Sequence, residues 1–219
     1  MERPSQQRRA RLAASTHEAI VDAAGRLFAE RGYFATTVQE IAALADVSPA
    51  TVYAVAGGKQ GMITSLAKRW SDSSVLGESL RRLPTLTDPY EVVSYVGQAS
   101  RQVREEHGDT MRTLLATAPS HPRIAQELKA STERYRGTLD KVAQHLEGLG
   151  VPGGRRHIGD VLWFFFGYSG YFTLLDDNGW DYDRAQEWLL AQCSQCLGVV
   201  RSQSPAAEDG GGSGSGPSV

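Results

Sequence analysis

The chain has 219 residues, with 23 lysines and arginines against 25 acids and a formal net charge of -2, so charge alone marks neither a nucleic-acid binder nor an acidic disordered chain. Its 41% hydrophobic content is ordinary for a globular chain able to bury a core, and the two cysteines, Cys193 and Cys196, exclude a disulfide-stapled scaffold. The first residues hold no apolar signal core, and the longest apolar stretch, 161–175, is broken by Gly167, Ser169 and Gly170 and is short for a bilayer span; a cytoplasmic protein without a membrane partner is expected.

Periodicity is helical almost throughout, which predicts an all-α fold. Residues 1–15 carry four arginines against one glutamate and read as a flexible basic arm. Ser15 and Glu18 have capping-box spacing, and Ile20, Ala24, Leu27 and Phe28 then form one apolar stripe that stops at Gly32. A second helix starts at Thr37 with Glu40 three residues on. A third starts at Ser48, with Pro49 where a missing N–H costs nothing, and ends at Gly57-Gly58. These elements give a first domain over residues 16–58.

A second domain follows over residues 59–201. Its predicted helices run from Lys59 to about Leu80, from Asp88-Pro89 toward His107, from Asp109 to Thr117, from Pro122 to Leu149, from Arg155 to Asp176 and from Asp183 to Arg201. Residues 202–219 contain five glycines, five serines and two prolines, which predicts a disordered Gly/Ser-rich tail.

Residues 37–56 read as two short helices joined by a tight turn at Ala45-Asp46-Val47. Ala42 is small where the helix axes cross, Asp46 falls where the turn favours a left-handed backbone, and Val52 fills the wedge between the helices. That is the helix-turn-helix pattern, whose second helix enters the major groove of DNA. Pro49, Ala50, Thr51 and Tyr53 are left facing outward, Thr51 toward a base edge or phosphate and Tyr53 toward a phosphate and sugar. An ordinary helical hairpin with core alanine and valine remains the other reading. Lys59 sits at a helix start, where the macrodipole disfavours a cation, after two glycines that leave N–H groups uncovered. Such a place suits a phosphate, or else holds a solvated surface lysine. It is not a nucleotide P-loop, because Tyr53 and Gln60 stand where Gly and Ser or Thr would be needed.

Residues 19–66 resemble the N-terminal domain of the TetR family of bacterial transcriptional regulators. The resemblance lies in LFAERGY and ATTV between Leu27 and Val38, the spaced Ile-Ala, Ala, Ala and Val-Ser between Ile41 and Ser48, and Thr51-Val52-Tyr53 followed by a short loop and Lys59. It implies a three-helix DNA-binding module, a variable helical ligand domain and dimerisation through the last two helices. By position it implies DNA contacts at Thr37, Thr51, Tyr53 and Lys59. Many members carry a His-Phe pair after the Tyr; here Ala54 to Gly58 contain no aromatic, which predicts looser packing of the third helix on the fourth.

The run VLWFFFGYSGYFTLL is apolar nearly all round, which predicts cover on more than one side. Val161, Phe165, Tyr168, Phe172 and Leu175 make one stripe. Trp163, Phe166, Gly167, Gly170 and Leu174, with Trp188, Cys193, Cys196 and Leu197 of the last helix, fit a four-helix interface in a homodimer, as the family implies. A pocket for a small hydrophobic or aromatic effector is expected among Trp70, Tyr95, His107, Met111, Phe165, Tyr168 and Phe172, residues that equally suit a plain core.

Catalysis finds no support. Gly167-Tyr168-Ser169-Gly170 lacks the spacing of a nucleophile elbow. His17, His107, His121, His145 and His157 show no metal-ligand spacing, and Cys193 and Cys196 read as buried thiols of the interface. The expectation is a repressor without cofactor or metal, dimeric on a near-palindromic double-stranded operator and released by a small-molecule effector. An activator, a ligand-independent regulator, or a helical carrier that has lost DNA binding are the alternatives.

Overall fold

The structure is a computed structural model that describes residues 4–71 and 81–201. Among them there is no strand, and the chain is all-α: a three-helix N-terminal module followed by a helical C-terminal domain. The module comprises α1 (Pro4–Arg31), α2 (Val38–Leu44) and α3 (Pro49–Ala56). Then come α4 (Gly58–Ser71), α5 (Pro89–Thr117), α6 (Pro122–Gly148), α7 (Gly154–Phe166), α8 (Tyr168–Phe172) and α9 (Tyr182–Cys196), with a π-helical turn at Thr173–Asp177. The expected tail 202–219 and the expected end of α4 at Leu80 lie outside the described residues.

Helix α1 begins at Pro4 rather than near Ser15, so residues 4–15 are helical where an arm without structure is expected. The cause is local. Gln, Arg, Leu and Ala upstream of Ser15 are good helix formers, Pro4 occupies a first-turn position, and Thr16 returns its hydroxyl to the Leu12 carbonyl (2.9 Å), continuing the helix. Ile20, Ala24, Leu27 and Phe28 are buried as expected, against Ile41, Val52, Met62 and Ile63.

Two corrections concern the second domain. The segments ending near His107 and starting at Asp109 are one helix, α5. Gly108 is kept inside it because a Cβ there would approach the Arg112 guanidinium (2.9 Å) and the Tyr182 hydroxyl (3.4 Å). Conversely, the helix expected to run unbroken to Asp176 stops at Gly167, whose backbone is extended. Arg104 of α5, only 1% exposed, holds this break: its guanidinium donates to the carbonyls of Phe166, Gly167 (2.8 Å) and Ser100 (2.7 Å). The Tyr135 hydroxyl also donates to Phe166 (2.7 Å), and the Tyr171 ring lies 5.0 Å from the Arg104 guanidinium. The carbonyl end of α7 thus supplies the negative pole for a buried cation that has no carboxylate among these contacts.

The break resets helical phase only for the residues that follow it, and the outward surface differs from the expected one before it and on α9 as well. Phe166, Gly167, Leu174, Cys193 and Leu197 are buried inside the protomer, not displayed for a partner. Cβ atoms at Gly167 and Gly170 would strike the chain's own carbonyls of Trp163 (2.2 Å) and Phe165 (2.6 Å), so these glycines serve the break. Counted with its flanks, 154–177 is long and apolar enough to cross a bilayer, more than 161–175 alone suggests. In the folded chain Ile158, Leu162, Phe166 and Tyr171 of this run are wholly buried.

Candidate nucleic-acid interface

The turn between α2 and α3 has the geometry its sequence implies. Asp46 adopts a left-handed backbone with φ 54°, and the Val47 N–H returns to the Ala42 carbonyl (3.0 Å). Ala42 and Val52 are buried at the crossing, the complete burial of Val52 being worth roughly 1.5–3 kcal/mol. Ser48 caps α3 by accepting the Thr51 N–H (3.1 Å), and its hydroxyl also bonds that of Thr51 (2.8 Å).

That construction leaves the first turns of α3 outward. Pro49 and Ala50 are exposed, Thr51 is half-buried, and Tyr53 is 62% exposed. The Tyr53 ring rests on Gly58, where an added Cβ would come within 3.0 Å. Residue 59 follows at once, so Tyr53 and Lys59 share one edge of the module.

The Lys59 ammonium stands 4.5 Å above the Tyr33 ring centre and 3.5 Å from the Phe34 carbonyl. Thr37 lies three residues beyond Phe34 and is exposed, so the edge runs Tyr53, Lys59, Phe34, Thr37. Thr37 caps α2 in a full capping box with Glu40, which accepts the Thr37 N–H and hydroxyl (both 2.8 Å) and pairs with Arg31. Those Glu40 hydrogen bonds hold its carboxyl below the usual range. The first N–H groups of α2 therefore lie beside Thr37 at this edge. Phe34, 64% exposed on this edge, is absent from the contacts the sequence points to; an apolar residue in the loop after Tyr33 is the signal that marks it.

Partial burial pushes the Lys59 ammonium below its usual pKa, with Glu40 acting the other way. A phosphate beside it restores the charged form, so the complex keeps a proton at alkaline pH that the free protein has lost. If Lys59 contacts a DNA phosphate, affinity is full below the lowered Lys59 pKa and falls as pH rises through it. Fluorescence anisotropy between neutral and alkaline pH should show that fall in wild type and not in Lys59→Arg, whose guanidinium stays charged. A fall of equal size in both proteins would remove Lys59 from the contact.

The family model described as bacterial regulatory proteins, tetR family, matches residues 20–66, the span that contains this edge. The N-terminal domain belongs to the TetR family. An uncharacterised HTH-type transcriptional regulator of Bacillus subtilis, YvkB, is 33% identical over 97 residues, 44% of this chain and 49% of that protein. A second, YdeS, is 29% identical over 52% of this chain and 55% of its own length. The chain thus aligns with about half the length of these curated relatives.

Solved structures share the fold over most of the chain. A regulator from Saccharomonospora viridis, solved with choline, superposes with TM-score 0.69 at 18% identity, covering 83% of this chain and 96% of its own. FadR of Bacillus subtilis, solved with stearoyl-CoA, gives 0.65 at 16% identity over 84% and 99%. PfmR of Thermus thermophilus, a TetR family regulator, gives 0.65 at 21% over 83% and 95%.

The TetR-family domain is tied to the second domain through Tyr33, whose ring meets His121 edge-on at 5.5 Å, just before α6. His121, Tyr33 and Lys59 form a continuous series. The looser α3–α4 junction expected from Ala56 is not found: Ala56 is buried, and Gly61 lies so close to its carbonyl oxygen that a Cβ would reach 1.8 Å.

The seven residues expected to line an effector pocket do not converge. Trp70 and Tyr168 are in edge contact (5.7 Å), with the Tyr168 hydroxyl bonded to Thr132 (3.1 Å) and its pKa pushed up to about 12 by burial. Met111 is a core residue and Phe165 faces Trp188. Phe172 lies under Arg112 and Tyr95 under Arg82. His107 is half-buried within α5, which lowers its pKa. Helical spacing places these residues on inner faces but carries no information on which neighbours cover them. Of the expected thiol pair, Cys193 is buried, its pKa pushed up to about 12, while Cys196, the last residue of α9, is exposed.

Proposed function

We propose that this protein is a transcriptional regulator that binds double-stranded DNA as a homodimer and acts as a repressor released by a small-molecule effector. The carrying observation is the exposed start of α3, set by the left-handed turn at Asp46 and flanked by Tyr53 and Lys59 on one edge of a TetR-family domain. Thr51 and Tyr53 reach bases and backbone while Lys59 and the start of α2 take phosphates. One such helix reads too few base pairs for a genomic site, so two copies on a near-palindrome are needed.

A groove of about 520 Å³ supports the dimer: it is lined by Trp163, Phe164, Phe165, Gly170 and Trp188 among others, with Phe164 72% and Trp188 42% exposed. Exposed aromatics in one apolar groove fit the centre of an interface. The effector class rests on choline and stearoyl-CoA in two neighbouring structures. The effector favours a spacing of the two α3 helices that no longer matches successive major grooves.

Selection from a random-sequence duplex pool tests the reading. Wild type should enrich a near-palindrome with half-sites about 34 Å apart or a multiple of that. Phe164→Glu should sediment as a monomer and bind the selected duplex at least about tenfold more weakly. Enrichment of no sequence would sink the regulator reading, and a dimeric Phe164→Glu would move the interface elsewhere.

A further inference from the structure

From Pro4 to His17, α1 carries Arg8, Arg9 and Arg11 and no acid. Arg8 and Arg11 are exposed, and ion pairing along α1 begins, among the described residues, only at His17 and Glu18. The contacts of α1 with α4 fix how far this charge stands from Lys59. Tyr33 meets Lys59, Gly25 meets Leu66, and Glu18 and Asp22 meet Arg69, so the two helices run antiparallel. At 1.5 Å per residue, Lys59 to Arg69 spans about 15 Å along α4, and Glu18 to Arg11 adds about 10 Å along α1. The arm's charge thus stands about 25 Å from Lys59 along the helices, outside the module formed by α2 and α3.

We propose that residues 4–15 form a second DNA-binding surface, a preformed basic helix that grips the backbone of the duplex flanking each half-site. This rests on the DNA-binding reading above and extends it. Three arginines without a competing acid suit phosphates, and a contact with flanking backbone is indifferent to sequence. A helix that is already formed loses less conformational freedom on binding than a disordered tail. A lipid surface suits it less, since its exposed apolar residues are Leu12 and alanines, too little to enter a bilayer.

The test uses the full chain and mixed-sequence duplexes of about 16 and 40 base pairs, with affinity followed against salt. Arg8→Ala/Arg11→Ala should make the log–log salt slope shallower by about two on the long duplex, and by less on the short one, which lacks the flanks. Helicity should be unchanged by circular dichroism, since alanine favours the helix. Lys59→Ala should reduce the slope by about one on both lengths.

If Lys59→Ala has its effect and the arm variant has none, the arm proposal falls while the DNA-binding reading stands. If neither has an effect, the DNA-binding reading itself falls. An arm effect equal on both duplexes would place the arm inside the half-site and overturn the flanking contact. Loss of binding to phosphatidylserine vesicles with unchanged DNA slopes would overturn it in favour of a membrane surface.

Discussion

Gly61→Ala lowers the melting temperature of the N-terminal module by about 12 °C or more and abolishes DNA binding. The Cβ of alanine would stand 1.8 Å from the carbonyl oxygen of Ala56 and 2.8 Å from its carbon. Both atoms are backbone, so no side chain can turn away; α4 must shift from the end of α3 as a unit. Such overpacking costs about 3 kcal/mol or more, and in a domain of this size each kcal/mol is worth roughly 4–8 °C. Gly57 and Gly58, at φ 68° and 67°, complete the junction, which leaves no free linker between α3 and α4. Gly137→Ala is the control: nothing lies within 4 Å of its Cβ in α6, and alanine there should stabilise by about 0.5–1 kcal/mol. A Gly61→Ala melting curve within about 2 °C of wild type would show that the junction gives way without cost.

The second large effect concerns Arg104. Arg104→Met preserves much of the volume but leaves the carbonyls of Ser100, Phe166 and Gly167 without the guanidinium, and only Phe166 retains the Tyr135 hydroxyl. Ser100 keeps its helical N–H partner in α5 and Phe166 the Tyr135 hydroxyl, so what is lost is the charged donor itself, about 1.5–3 kcal/mol for each hydrogen bond to a charged group. Relief from burying the cation offsets part of this, so a net loss of about 3 kcal/mol is expected. At about 2 kcal/mol per molar urea, the midpoint falls by about 1.5 M. Arg104→Lys keeps the charge but cannot reach three carbonyls in fixed directions, and should fall between the two. A methionine variant as stable as wild type would show that the α7–α8 break needs no such clamp.

What could be read from the sequence was local. Ala42, Asp46 and Val52 each act within a few residues of themselves, so spacing alone placed the turn and the outward face of α3. The break at Gly167 was hidden, because what sustains it is an arginine sixty-three positions earlier. Once the helix stops there, the phase of every later residue changes; before it, three consecutive phenylalanines divide by helical rotation alone, Phe165 and Phe166 inward and Phe164 outward. Composition cannot distinguish them. The start of α1 was obscured differently: Ser15 and Glu18 have the spacing of a cap, but the residues before them favour helix equally, and a capping pattern cannot stop a helix already under way. The scatter of the expected pocket residues has the same root as the phase error, since an aromatic's place on an inner stripe leaves its cover undetermined.

The series His121, Tyr33, Lys59 bears on how far this architecture is modular. The TetR-family domain supplies the ammonium and the ring it rests on, while the chain just before α6 supplies the imidazole against that ring. The two domains are therefore not interchangeable cassettes. A chimera joining residues 1–71 to a different helical domain would keep α3 intact but lose the far support of the Lys59 ammonium. The graft has to carry an aromatic at the position of His121, or the Tyr33 ring beneath Lys59 loses its outer neighbour, which on the proposed function weakens the hold on the DNA backbone and leaves the choice of sequence unchanged.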